Sequence, residues 1–84
     1  LGREGDAKTA LESGRRVLRE VMEDYPNPKY TPRVSYLLGQ FAQELKQYGE
    51  AVAAYQVVVK QYPDHPLAPD AQFKLAQSYE EAGE

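Results

Sequence analysis

The sequence predicts an all-α fold of stacked helical hairpins, and three observations support this prediction. Apolar and small residues recur at steps of three and four along most of the chain, which places an apolar stripe on each of several helices. Proline-containing breaks interrupt the pattern at Tyr25–Pro28 and at Tyr62–Pro66. A shift of the chain by 37 residues superimposes its second part on its first, which indicates a repeat protein.

The first predicted helix covers residues 7–25. Asp6 precedes it and is suited to the N-cap, because its carboxylate can accept hydrogen bonds from the first free amides. The charged residues on the other faces indicate a solvated helix surface. The apolar stripe consists of Ala7, Ala10, Leu11, Gly14, Val17, Leu18, Val21, Met22 and Tyr25.

The second predicted helix covers residues 32–46, with Thr31 as its cap and Pro32 at its first position. Gly39 lies inside it, although glycine costs about 1 kcal/mol relative to alanine in a helix. We therefore expect the next helix to approach closely at Gly39. The apolar stripe consists of Val34, Leu37, Leu38, Phe41, Ala42 and Leu45.

Two more helices are predicted, over residues 49–62 and 68–82, after a turn at residues 47–50 and the second proline break. The third helix is apolar over much of its circumference, so we expect it to pack on two sides. Gly83 is suited to a left-handed conformation after the fourth helix.

The segment from Pro32 to Pro63 carries small, apolar and aromatic residues at the spacings of a known helical repeat. These residues are Leu38, Gly39, Ala42, Tyr48, Ala51, Tyr55, Val58 and Pro63. With them, the segment resembles a tetratricopeptide repeat. Two positions depart from that pattern, since Ser35 stands where a large aromatic is usual and Ala42 replaces a tyrosine. The resemblance implies a short right-handed superhelical solenoid, with residues 1–84 as one domain. Residues 32–63 would be a full repeat, and residues 1–26 and 68–84 would be half repeats.

The linker after Tyr62 indicates which group of tetratricopeptide repeat proteins the chain resembles. The usual period is 34 residues, so the 37-residue period here places three extra residues in the proline-containing linkers. The run from Tyr62 to Ala71 is similar to the junction in bacterial envelope repeat proteins. Examples are the periplasmic repeat protein associated with the Tol–Pal system and the outer-membrane lipoprotein of the β-barrel assembly machinery. This implies a periplasmic or envelope location. Cytoplasmic and magnetosome-type repeat proteins share the linker, so the cytoplasm is the alternative.

Composition narrows the range of partners. A net charge of −3 and a pI near 5.1 argue against nucleic acid, and no apolar run is long enough to cross a membrane. The absence of cysteine excludes disulfides and thiolate chemistry. Because the chain begins at Leu1 without an initiator methionine, we expect it to be a piece of a longer repeat protein.

No constellation of residues predicts catalysis, a metal site or a cofactor. His65 is the only histidine, and it stands in a linker with no serine or cysteine beside it. Glu80 and Glu81 are adjacent on a helix and therefore point in different directions. No glycine-rich phosphate loop is present. We expect a non-enzymatic protein.

The resemblance implies a concave groove lined by the first helix of each hairpin. Tyr36 and Phe73 stand out there as aromatics at equivalent positions of a polar face, where they could cover the apolar part of a bound peptide. The alternative is that both rings pack against a neighbouring helix. Because Gln40 and Gln77 replace asparagine and acidic residues outnumber basic ones, we do not expect the carboxylate clamp of chaperone-binding members. The groove positions are Arg33, Tyr36, Gln40, Gln43, Glu44, Asp70, Phe73, Lys74, Gln77, Glu80 and Glu81.

The sequence therefore predicts an interaction scaffold that binds a protein or peptide. The alternative is a structural solenoid or self-assembly segment with no ligand of its own. Repeats bury their apolar faces against neighbours, so we expect Leu75, Ala76 and Tyr79 to be exposed and the chain to self-associate through its terminal helices.

Overall fold

The computed structural model describes the backbone of residues 3–83 and the side chains of residues 8–83. It contains four α-helices, which are α1 (Arg3–Asp24), α2 (Thr31–Glu44), α3 (Tyr48–Gln61) and α4 (Ala68–Glu81), and the described residues form no strand. Each helix packs on the next one along the chain, in a layered body of 44 × 33 × 17 Å. This arrangement confirms the all-α prediction and is that of a short helical solenoid.

Helix α1 is longer than predicted. It begins at Arg3 and spans 22 residues, whereas each of the other helices spans 14. Position 6 lies inside the helix, so the prediction that Asp6 is its N-cap is wrong. The predicted stripe residue Ala7 has its side chain outside the described residues. The 37-residue shift places Gly14 on Ala51, and the extra turns of α1 precede that position.

The N-terminus of α2 differs from the predicted one. Thr31 is the first helical residue and not the cap. Its amide and its hydroxyl both donate to the carbonyl of Asn27, at 3.0 and 2.9 Å. Pro32 was predicted at the first helical position and is the second helical residue; it still lies in the first turn, where proline lacks an amide that would otherwise need a partner.

Helix α2 ends in a Schellman motif. The amide of Gln47 donates to the carbonyl of Ala42 at 2.8 Å, and the amide of Lys46 donates to that of Gln43 at 2.9 Å. Lys46 occupies the left-handed region with φ of 60°, which lets the chain reverse within three residues into α3. After α4, Gly83 adopts φ of 88°, which confirms its predicted left-handed conformation.

The hydrophobic core lies around α3, which packs on α2 on one side and on α4 on the other. This confirms the prediction that the third helix is covered twice. Ala51, Tyr55 and Val58 are fully inaccessible. The Tyr55 ring fits because Gly39 has no side chain, since a methyl group at that position would lie 2.5 Å from Cε1 of Tyr55. The predicted close approach at Gly39 is confirmed.

The ends of the solenoid expose apolar residues. Of the three residues of α4 expected to be exposed, Ala76 and Tyr79 are exposed. The expectation for Leu75 is wrong, because this side chain joins the buried cluster against α3. Val17 and Val21 are exposed on α1 at the opposite end.

Candidate partner-binding groove

A polar groove opens between α2 and α4, beside the turn that connects α2 to α3. Its cavity volume is about 360 Å³. Its walls consist of amide, carboxylate, ammonium and phenol side chains that can exchange hydrogen bonds with a ligand. The lining residues are Gln40, Gln43, Glu44, Lys46, Tyr48, Lys74, Gln77 and Glu81.

Gln43 forms the floor of the groove. Its side-chain amide nitrogen donates to Oε1 of Gln77 at 3.3 Å and to Oε1 of Glu81 at 3.1 Å. Its own Oε1 accepts the hydroxyl of Tyr55 at 2.6 Å. The network therefore joins α2 to α4 and anchors the buried Tyr55 ring. Because Gln43 is held by three bonds, the groove is preformed on this side.

The groove carries charges of both signs. Glu44 and Glu81 contribute carboxylates, while Lys46 and Lys74 contribute ammonium groups. Burial, together with the charge of Glu81 and a hydrogen bond to it, raises the pKa of the Tyr48 phenol. A tyrosine phenol is protonated at neutral pH in any case, so Tyr48 can donate a hydrogen bond there.

The groove contains six of the eleven residues predicted for a partner-binding site. These are Gln40, Gln43, Glu44, Lys74, Gln77 and Glu81. The sequence interpretation missed Lys46 and Tyr48. Tyr48 stands at a consensus position of the repeat motif, while Lys46 reaches the groove through the left-handed turn.

Tyr36 is not the projecting aromatic that the sequence suggested. Its side chain is only 8% exposed, and its ring meets that of Tyr55 edge-on with the centroids 5.7 Å apart. Its hydroxyl donates to the carboxylate of Asp70 at the start of α4. Of the two alternatives for Tyr36, the packed ring is the one that the structure shows, because α3 and α4 cover this position.

Phe73 differs from Tyr36, although the two residues occupy equivalent positions of the repeat. Its side chain is 64% exposed, and it lies outside the groove. Arg33, Asp70 and Glu80 also lie outside the groove lining. Their predicted role in partner binding stays a prediction.

Alkaline pH should destabilise the fold through Tyr36. Burial, together with the hydrogen bond and the charge of Asp70, raises the pKa of Tyr36 from 10.0 to about 12. The folded state thus holds the proton more tightly than the unfolded state does, so this stabilisation is complete below pH 10 and is lost as the pH rises towards about 12. Urea unfolding at pH 8, 10 and 11 should show that the free energy of unfolding decreases less with pH for Tyr36→Phe than for the parent chain. An equal decrease in the two proteins would contradict the assignment of this pH dependence to Tyr36.

His65 is the remaining candidate for a catalytic or metal-binding role. Its Nδ1 accepts the amide of Leu67 at 3.0 Å, immediately before α4, which is a structural role in the linker. Among the described side chains, no three His, Asp or Glu residues cluster so as to hold a metal ion. Within the described range, no helix is both long and apolar enough to cross a membrane.

The stacked helices form a helical-repeat domain, with a polar groove between α2 and α4. Residues 33–65 match the family model of the tetratricopeptide repeat. This match confirms the recognised motif and supports a tetratricopeptide repeat protein, a class that is typically non-enzymatic and generally mediates protein–protein interaction. It covers one repeat of the 84-residue chain.

Comparisons with curated proteins and with solved structures found no match. The resemblance to the two envelope proteins therefore has no support beyond the linker sequence.

Proposed function

We propose that this chain is a non-enzymatic scaffold that binds an extended segment of a partner protein in the groove between α2 and α4. The observation that supports this function best is the convergence of eight polar side chains around a groove of about 360 Å³. Such side chains can bond the amides and carbonyls of an extended peptide, which otherwise lose their water on binding.

The charge pattern of the groove favours a partner segment with both acidic and basic side chains. Lys46 and Lys74 would attract carboxylates, while Glu44 and Glu81 would attract lysine or arginine. Because the charges in the groove nearly balance, we expect specificity to depend on the order of charges in the peptide. A segment of uniform charge would be repelled by part of the site.

Peptide binding should weaken when the two glutamines of the groove wall are truncated. We would select peptides from a random 12-residue display library on the 84-residue chain and measure their Kd by calorimetry. Loss of two hydrogen bonds at about 1 kcal/mol each predicts a roughly 30-fold higher Kd for the Gln40→Ala/Gln77→Ala variant. Ala53→Glu is the control, because Ala53 is exposed on α3 and lies outside the groove.

Two results would contradict groove binding. One is an equal Kd for the double variant and the parent chain, which would place the selected peptides elsewhere. The other is a library that returns no peptide competing for a single site. Circular dichroism of both variants must match that of the parent chain before the affinities are compared.

The proposal includes a role within a bacterial envelope complex. Its support is the sequence of the linker from Tyr62 to Ala71, which is similar to that of envelope repeat proteins. Fractionation of cells that make the protein tests this part separately. Recovery in the periplasmic or envelope fraction supports the location, and recovery in the cytoplasmic fraction contradicts it.

A second candidate function is self-assembly, which the exposed apolar residues at both ends of the solenoid favour. Val17 and Val21 are 53% and 44% exposed on α1, and Phe73 and Tyr79 are 64% and 37% exposed on α4. Exposed apolar surface at the end of a stack of repeats is the kind of surface that a partner covers. A second copy of the chain is one such partner.

A further inference from the structure

A second concave site lies between α1, α2 and α3, on the side of α2 that faces away from the polar groove. Its volume is about 270 Å³. Ala42 lines this site and Gln40 lines the polar groove, and at about 100° per residue the two lie roughly 200° apart around α2. We call the site the three-helix pocket. Its apolar walls consist of Met22, Leu38, Ala42, Ala54 and Val57.

The three-helix pocket is open because two residues of α2 are small. Ser35 and Ala42 both belong to its lining. They are the two positions that depart from the tetratricopeptide pattern, which has a large aromatic at the first and a tyrosine at the second. Without those two rings, α1, α2 and α3 enclose a space that the chain itself does not fill.

The next repeat shows how the equivalent place is occupied. The 37-residue shift maps Ala42 onto Tyr79 and Arg19 onto Gln56. The hydroxyl of Tyr79 accepts a hydrogen bond from the side-chain amide of Gln56 at 3.1 Å. Helix α4 thus reaches α3 with a tyrosine ring, where α2 offers α1 only the methyl group of Ala42.

The rim of the three-helix pocket carries positive charge. Arg15 donates to the side chain of Gln47 and pairs with Glu50, and Arg19 lies 3.9 Å from the same carboxylate. Among the described side chains, Glu50 is the one carboxylate within ion-pair distance of either guanidinium, so the cluster has a net charge of about +1. Arg19 is exposed and therefore accessible to an acidic group of a partner.

Further repeats of a longer chain would leave the three-helix pocket open. The wall that α1 contributes faces forward along the chain, because Arg19 maps onto Gln56 and Gln56 bonds to the following helix. A preceding repeat would pack on the opposite face of α1, where Val17 and Val21 are exposed. A following repeat would pack on α4, which contributes nothing to the lining.

We propose that the three-helix pocket binds a tyrosine side chain of a partner protein, with an acidic residue beside that tyrosine paired with Arg19. The ring would replace the one that Ala42 lacks, and a guanidinium would donate to its hydroxyl as Gln56 donates to Tyr79. Most small-molecule pockets measure about 300–1,000 Å³, so a pocket of about 270 Å³ suits one large side chain. This contact is separate from peptide binding in the polar groove and does not depend on it.

Three capped tripeptides of the sequences Asp-Tyr-Asp, Asp-Ala-Asp and Lys-Tyr-Lys test the pocket. Each would be titrated into the ¹⁵N-labelled 84-residue chain up to millimolar concentration, since one anchoring side chain gives weak binding. The Asp-Tyr-Asp peptide should shift the NMR signals of the Met22 and Val57 amides and reach saturation. The other two should not, because one lacks the ring and the other carries the wrong charge.

Two substitutions should weaken the binding of Asp-Tyr-Asp. Ala42→Tyr fills the pocket with a ring of the chain itself, and Arg19→Glu reverses the charge at the rim. Loss of one charge-assisted hydrogen bond predicts a Kd at least roughly tenfold higher for Arg19→Glu. Arg16→Glu is the matched control, because Arg16 is exposed on α1 outside the pocket lining. The Gln40→Ala/Gln77→Ala variant of the polar groove should bind like the parent chain.

Three results would overturn the proposal. They are the absence of shifts at the pocket, equal binding of the Lys-Tyr-Lys peptide, and an unchanged Kd in Arg19→Glu. Binding that is lost in the Gln40→Ala/Gln77→Ala variant would place the tripeptide in the polar groove, which supports the first function and excludes this one. Circular dichroism must show that every variant is folded, and Arg19→Glu decides alone if Ala42→Tyr does not fold.

Discussion

Replacing Tyr55 with alanine should lower the free energy of unfolding by about 3–5 kcal/mol. The Tyr55 side chain is the largest that is fully buried, and it lies where α2, α3 and α4 meet. Its loss leaves a cavity that neighbouring helices cannot fill without moving, since Tyr36 is held by Asp70 and Gln43 by α4. Because native proteins have a total stability of about 5–15 kcal/mol, this substitution would remove a large share of the free energy of unfolding.

Urea unfolding followed by circular dichroism measures this effect, and Tyr55→Phe is its control. Phenylalanine keeps the ring and loses only the hydroxyl that donates to Gln43. We expect Tyr55→Phe to cost about 1 kcal/mol, which is typical of one hydrogen bond. If Tyr55→Ala were no more destabilising than Tyr55→Phe, the ring would not be the centre of the core.

Replacing Gly39 with alanine should lower the stability by about 2 kcal/mol, even though alanine is the better helix former. The new methyl group would lie 2.5–2.8 Å from three atoms of the Tyr55 ring, which is too close for any packed pair of carbons. The ring is buried on all sides, so it can move only by displacing α3 or α4. This steric cost exceeds the gain of about 1 kcal/mol from helix propensity.

Gly14→Ala is the matched control, because it makes the same chemical change in the middle of α1. A methyl group at position 14 would lie 3.5 Å from Cζ of Phe41, an ordinary van der Waals distance. Only the propensity gain then remains, and Gly14→Ala should stabilise the chain by about 0.5–1 kcal/mol. Thermal and urea unfolding of both variants should therefore shift in opposite directions. A stabilising effect of Gly39→Ala would contradict the close approach of Tyr55.

The helices could be predicted well from the sequence because their apolar periodicity and proline breaks are local signals. The close contact at Gly39 could be predicted too, because an unfavourable residue inside a helix needs a reason from outside the helix. The predictions failed where local signals competed. Asp6 and Thr31 both fit an N-cap, yet α1 begins before Asp6, and Tyr30 occupies the N-cap position of α2 without a side-chain hydrogen bond to the helix.

The groove was predicted only in part because its walls come from positions far apart in the chain. The resemblance to a tetratricopeptide repeat placed Gln40, Gln43 and Gln77 in one groove, and the structure brings them together. The same reasoning treated Tyr36 and Phe73 as equivalent, although only Tyr36 has α3 and a following α4 to cover it. Equivalent positions in a repeat have equal burial only where both have neighbours.

The sequence by itself determined the helical class of this protein, the repeat of 37 residues and the pairing of each helix with the next. These features depend on interactions between residues close in the chain, so periodicity and helix breakers encode them directly. Only the tertiary structure decided which aromatic is buried, how Gln43 connects α2 to α4, and how Lys46 and Tyr48 reach the groove. Those outcomes depend on which helix faces lie against each other, and that choice is made by packing across the whole core.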